Sequence, residues 1–194
     1  MTRALLLAAA LAALAAPGCS TIEKQRADAL GPEVETPGPR HRPGQPCLYC
    51  HSTSDGDGRA PSFDLAGTVY QRRADTQGAA GLEITVEDAA GHTITVNANV
   101  AGNFALVVED GLTQPIESDE GIWRVPGPLV FPLRTTVSDG GLERHMRNVI
   151  HRERSCNVCH TATPGAASNG RIYATPDPVD AGVPDAASGA DGSI

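Results

Sequence analysis

The sequence predicts a mainly β fold, a small antiparallel β-sandwich, and three observations carry that expectation. Apolar residues alternate with polar ones at Leu82, Ile84 and Val86, again at Ile94 and Val96, and again at Phe104, Leu106 and Val108. Period-two alternation of this kind marks strands with one buried face. Ala89-Ala90-Gly91 and Ala101-Gly102-Asn103 supply turns between these runs. No helix of useful length fits between Ala66 and Thr136. With an earlier strand over 66–71 and a later one over 129–137, some six or seven short strands suit one sandwich spanning 63–138. Pro132 pushes the last of them towards an edge or bulge.

The chain opens with Met1-Thr2-Arg3 and an apolar run from Ala4 to Ala16. That is the size of a signal-peptide core and short for a bilayer span, so 1–18 is expected to be a signal peptide. Leu14-Ala15-Ala16-Pro17-Gly18-Cys19 resembles the bacterial lipobox, with Gly18 and Ser20 in fitting places and Ala16 and Pro17 departing from the usual pattern. The resemblance implies lipidation of Cys19. Ordinary cleavage nearby, with Cys19 left as a plain thiol, is the other reading. Either way the chain is expected to be exported to the cell envelope, periplasmic or held at a membrane by its lipid. Residues 19–46 then read as a lipid-anchored linker. Pro32, Pro37, Pro39, Pro43 and Pro46 forbid a regular helix there and favour an extended, semi-rigid spacer.

Two five-residue stretches stand out: Cys47-Leu48-Tyr49-Cys50-His51 and Cys156-Asn157-Val158-Cys159-His160. C-x-x-C-H reads as a c-type haem attachment site. On one turn of helix, positions i, i+3 and i+4 share a face, so both thiols and the imidazole can address one planar ligand. Cys47, Cys50, Cys156 and Cys159 are therefore the expected covalent haem attachments, for two haems, and His51 and His160 the expected proximal iron ligands. With Cys19 these account for all five cysteines, leaving no pair for a disulfide framework. The attachment segments are expected over 47–62 and 139–173. In the first, Asp55-Gly56-Asp57-Gly58 lacks the spacing and closing glutamate of an EF-hand and reads as a turn.

Distal ligands stay open at this stage. His145, Met146 and His151 precede the second site, and Met146 is the only methionine once a leader is removed. A strand through 142–155 would put both histidines on one side, whereas six helical residues would turn them about 240° apart. His41, between Arg40 and Arg42, reads first as a solvated linker residue and second as a distal ligand for the nearby first site. Arg144, Arg147, Arg152 and Arg154 suit haem propionates.

Ala66-Gly67-Thr68-Val69-Tyr70, Gly81-Leu82-Glu83-Ile84-Thr85-Val86, Asp88-Ala89-Ala90-Gly91 and Ala101-Gly102-Asn103-Phe104 together resemble the carboxypeptidase regulatory-like, transthyretin-like sandwich in the version found in exported bacterial cytochromes. Met146 shortly before Cys-Asn-x-Cys-His is similar to those cytochromes too. The resemblance covers roughly 47–172 and implies a di-haem electron carrier.

Composition narrows the alternatives. The net charge of −8 with no basic stripe argues against nucleic acid as a partner. No nucleophile elbow, H-E-x-x-H or glycine-rich phosphate loop is present. His92 reads as an exposed turn residue, and Trp123 as core packing. From 174 to 194 the chain carries Pro, Ala, Gly and Asp without a basic residue, the composition of a disordered acidic tail. The expected function is electron transfer between redox proteins of the envelope. A haem enzyme with one open iron, a peroxidase or small-molecule reductase, is the first alternative. A surface binding module with a Cys₄ zinc site, or a thioredoxin-like dithiol, comes after it.

Overall fold

The computed structural model describes residues 28–33, 36–52, 61–162 and 168–176. The proposed signal peptide, Cys19, the first part of the linker, the Asp55–Gly58 turn and the acidic stretch from Asp177 onward lie outside the described residues. Among the described residues the chain is mainly β, with nine strands in two facing sheets: β1 (Leu65–Tyr70), β2 (Glu83–Glu87), β3 (Thr93–Asn97), β4 (Asn103–Val108), β5 (Ile116–Asp119), β6 (Ile122–Val125), β7 (Arg134–Ser138), β8 (Glu143–His145) and β9 (Ile172–Tyr173). One sheet runs β5-β6-β4-β1-β9 and the other β3-β2-β7-β8. Among the described residues no helix is long and apolar enough to cross a membrane.

The alternation becomes burial as expected. Ile84, Val86, Ile94, Val96 and Val137 point inward from one sheet, and Leu65, Val69, Phe104, Leu106 and Val125 from the other. The sandwich is mixed rather than purely antiparallel. β6 lies parallel to β4 because the chain leaves β4, forms the outer strand β5, and folds back to slot β6 in between. β9 also runs parallel to β1. The strand expected over 129–137 begins only at Arg134, past Pro132, which has no N–H to give to a ladder. Around the second site, 142–155 is a strand followed by turns rather than a helix: β8 pairs with β7, and Ile150 bridges Leu133.

Two boundaries move. Residues 36–46 are not an extended spacer but a run of turns fastened to the sandwich. Asn99 Nδ2 donates to the Pro39 carbonyl at 2.8 Å, Asn103 Nδ2 to those of Pro39 and His41 at 3.2 and 3.0 Å, and Arg40 pairs with Glu120. At the other end the ordered body continues to Pro176, so the tail cannot begin at 174. Ala174 is fully buried, and the N–H groups of Ala174 and Thr175 donate to the Tyr70 and Gln71 carbonyls, extending the parallel pairing with β1.

β1 is the strand that positions everything else, because all six of its residues are buried. Leu65, Gly67 and Val69 face the inter-sheet core. Ala66 faces outward, where Leu48, Phe63 and Ala105 cover it in a second small apolar cluster. The Cys47–Tyr49 turn thus caps the outer face of the sheet at Ala66.

The β2–β3 turn rests on Asp88. Its carboxylate accepts from the N–H groups of Ala90, His92 and Val130 and from the His92 ring at 3.1 Å. Desolvation pulls its pKa upward, but the bonds from His92, Val130 and Ala90 outweigh it and hold the carboxyl below its usual range. A depressed carboxyl contributes stability above its unfolded pKa of about 3.9 and loses it as pH falls through the folded value. Asp88→Ala is expected to cost about 1–3 kcal/mol at pH 7, since three N–H groups lose their acceptor. Urea unfolding at pH 7 and pH 3 checks this: the gap between wild type and variant should narrow at pH 3.

Candidate functional site

The two C-x-x-C-H stretches fold alike although they sit on different parts of β1. Cys47–Tyr49 forms a single 3-10 turn, and Cys156–Cys159 a single α-helical turn, α1. In each, the histidine N–H donates to the carbonyl of the first cysteine at 3.0 Å, closing the turn. In each the second position is the buried anchor: Leu48 in one, Asn157 in the other. The first cysteine is half-buried against the sheet, and the second is exposed.

α1 is placed beside β1, on the edge that β9 occupies further along the strand. Ala66 N–H donates to the Arg154 carbonyl at 3.0 Å and Ala66 bridges Ser155 in parallel, so Cys156 comes to lie over Gly67. The approach is close enough to require glycine. A Cβ at position 67 would stand 2.8 Å from the Cys156 Cβ and 3.0 Å from Phe104 Cε1. The Cys156 thiol is pushed up to about 12, chiefly by burial and next by the Cys47 thiol. Cys47 packs with the cluster around Ala66 and Cys156 lies over Gly67, neighbouring residues of β1 on its opposite faces. Burial also pushes Cys47 up to about 12 and raises Cys50. Thiols held this firmly protonated do not suit a dithiol oxidoreductase, whose nucleophile needs a lowered pKa. Nor, among the described residues, are three or more His, Cys, Asp or Glu side chains gathered as a metal cage.

The histidines carry the clearest signal. His51 Nδ1 lies 2.7 Å from the Pro61 carbonyl and His160 Nδ1 lies 2.9 Å from the Gly170 carbonyl, each ten residues downstream. A carbonyl oxygen only accepts, so Nδ1 carries the proton in both rings and Nε2 keeps its lone pair. That backbone tie is the usual device for fixing the tautomer and orientation of a metal-ligating imidazole. Burial lowers both pKa values, with the carbonyl bonds acting the other way, and favours the neutral form that a ligand needs. His51 also stacks on Phe63, with centroids 4.3 Å apart and planes at 13°. Beside the second site, Ser155 Oγ and Asn157 Oδ1 are buried with no hydrogen-bond partner among the described residues. The donor set at each site (two thiols one turn apart and a neutral imidazole with Nε2 free) fits a covalently held haem.

The distal candidates separate. His41 comes to the first site, its ring centroid 5.7 Å from that of His51 with planes at 29°. His145 is exposed on β8 and hydrogen-bonded to Thr136 Oγ1 at 2.8 Å, and His151 is exposed as well. Met146 packs against the inter-sheet core, where its Sδ accepts from Thr135 Oγ1 at 3.4 Å. Of the proposed propionate partners, Arg144 is engaged with the Tyr173 ring and hydroxyl, and Arg154 with Asp64. Phe63, Gly67 and the Pro61 and Gly170 carbonyls were not foreseen as site residues. Only the equal ten-residue spacing from each histidine to a Pro or Gly could have pointed to the carbonyls.

Comparison with known proteins finds no matching family model, no matching curated protein and no matching solved structure. The functional reading therefore stands on the residues alone.

Proposed function

We propose that the chain is an exported di-haem c-type cytochrome that carries electrons between redox proteins of the cell envelope, held at a membrane by a lipid on Cys19. The observation that carries this reading is the shared backbone tie of His51 and His160 through Nδ1, which leaves Nε2 of each as the available ligand nitrogen directly after a Cys-x-x-Cys pair in sequence. Bound haem would supply an iron that cycles between ferrous and ferric states. The chain's own residues do the rest. Cys47 with Cys50, and Cys156 with Cys159, would hold the two groups by thioether bonds, which suits a compartment where loose haem is lost. His51 and His160 would supply the proximal nitrogens; burial favours the neutral rings, and the carbonyl bonds fix their tautomer and orientation. Phe63 pins the His51 ring, and β1 sets the separation of the sites. The sandwich itself is proposed to be of the carboxypeptidase regulatory-like kind. This makes the chain a carrier rather than an enzyme.

A haem enzyme remains the second reading because His160, unlike His51, has no second imidazole beside it among the described residues. An iron open on that side would bind small ligands. The test is a pyridine haemochrome count on the full-length exported protein. Two covalent haems per chain are expected, falling to one in Cys156→Ser/Cys159→Ser and in Cys47→Ser/Cys50→Ser. A wild-type chain with none overturns the proposal.

A further inference from the structure

We propose that His41 is the second axial ligand of the iron carried at the first site, opposite His51; this rests on the haem reading above. The imidazole centroids are 5.7 Å apart. Metal–imidazole bonds of about 2 Å put the two ligating nitrogens about 4 Å apart and the ring centres about 6 Å apart. The observed spacing is thus close to what one shared iron requires.

Both rings turn their other nitrogen away. His51 Nδ1 is tied to the Pro61 carbonyl. His41 Nδ1 accepts from the Gly38 N–H at 3.2 Å and also lies 3.2 Å from Glu33 Oε1. Ligation through Nε2 would move the proton to Nδ1, giving up the Gly38 bond for one donated to Glu33, the carboxylate–histidine pairing that orients ligating imidazoles. Nε2 of each ring has no hydrogen-bond partner among the described residues.

The segment bearing His41 is built for position. Its own carbonyl and that of Pro39 are gripped by Asn103 and Asn99. Gly44 N–H donates to the buried Thr68 hydroxyl at 2.8 Å. Next to His41, Arg42 sits at φ 48, a left-handed conformation that a residue with a side chain rarely adopts. Its guanidinium holds that turn by donating to the Gly31 carbonyl at 2.7 Å and Gln45 Oε1 at 2.8 Å. A solvated linker histidine would need none of these restraints.

The experiment compares exported wild-type, His41→Ala and His41→Met proteins by haemochrome count, by electron paramagnetic resonance of the oxidised form, and by carbon monoxide titration of the reduced form. Wild type is expected to carry two haems, with the first low-spin. His41→Ala should keep two, convert one from low to high spin, and bind one more equivalent of carbon monoxide than wild type. His41→Met should restore a low-spin centre with an altered spectrum. If His41→Ala loses haem, a His41→Met protein with two haems and that altered spectrum still supports the assignment. Spectra and carbon monoxide stoichiometry unchanged from wild type in either variant overturn it, as does loss of haem from both. A wild-type protein without haem sinks the earlier reading instead.

Discussion

Gly67→Val is expected to unseat the second attachment site while leaving the first in place. Position 67 lies in the middle of β1, facing the inter-sheet core opposite Phe104 and directly under Cys156. The first added carbon would already stand 2.8 Å from the Cys156 Cβ, 3.0 Å from Phe104 Cε1 and 3.1 Å from the Cys156 Sγ. Phe104 is buried and cannot swing away, and Cys156 is fixed by the Arg154 carbonyl bond to Ala66. The clash is therefore relieved by pushing α1 off the strand. Overpacking of this kind costs about 1–3 kcal/mol, and about 3 is expected here because two neighbours resist. A domain of this size loses about 2–4 °C of melting temperature per kcal/mol, so a fall of about 6–12 °C should appear in a thermal melt. With Cys156 displaced, the haemochrome count should drop from two towards one. Gly67→Ala should show the same pattern more weakly. An unchanged melt and count in the valine variant would show that α1 does not depend on this contact.

Gly67 also shows what was legible in the chain and what was not. Strand alternation could be read directly, because burial of one face repeats every second residue in β2 and β3. β1 lacks that alternation because both its faces are covered. β5 carries no apolar alternation, because Glu117 and Asp119 lie on an exposed edge strand that carries charge without penalty and is protected by it from pairing with another chain. The C-x-x-C-H pairs and their histidines were plain, being local. What completes them is not local. Phe63, the Pro61 and Gly170 carbonyls and the His41 segment meet the sites only through tertiary folding. The proline-rich stretch misled for a definite reason. Prolines exclude helix, but they do not separate an extended spacer from turns pinned by distant side chains such as Asn99 and Asn103.

Asn103→Ala should release that pinned segment. One amide serves three partners: Nδ2 donates to the Pro39 and His41 carbonyls, and Oδ1 accepts from the Thr68 hydroxyl at 2.8 Å. Thr68 in turn accepts from Gly44 N–H, so Gly44, Thr68 and Asn103 form a continuous relay from the segment into β1 and β4. Each hydrogen bond is worth about 0.5–1.5 kcal/mol net, and the fully buried Thr68 hydroxyl is left without its acceptor. The sum points to about 2–4 kcal/mol, measurable as a lower urea midpoint with an unchanged slope. Asn103→Asp separates the two halves of the network. Its carboxylate still accepts from Thr68 but sets an anionic oxygen against the two carbonyls, so at pH 7 it should lose at least as much stability as alanine. Both variants should admit protease cleavage within 36–46, because both free the His41 carbonyl. If aspartate protects the segment as well as asparagine does, then Arg40–Glu120 and Asn99 hold it without help from Asn103, and His41 owes its place beside His51 to them.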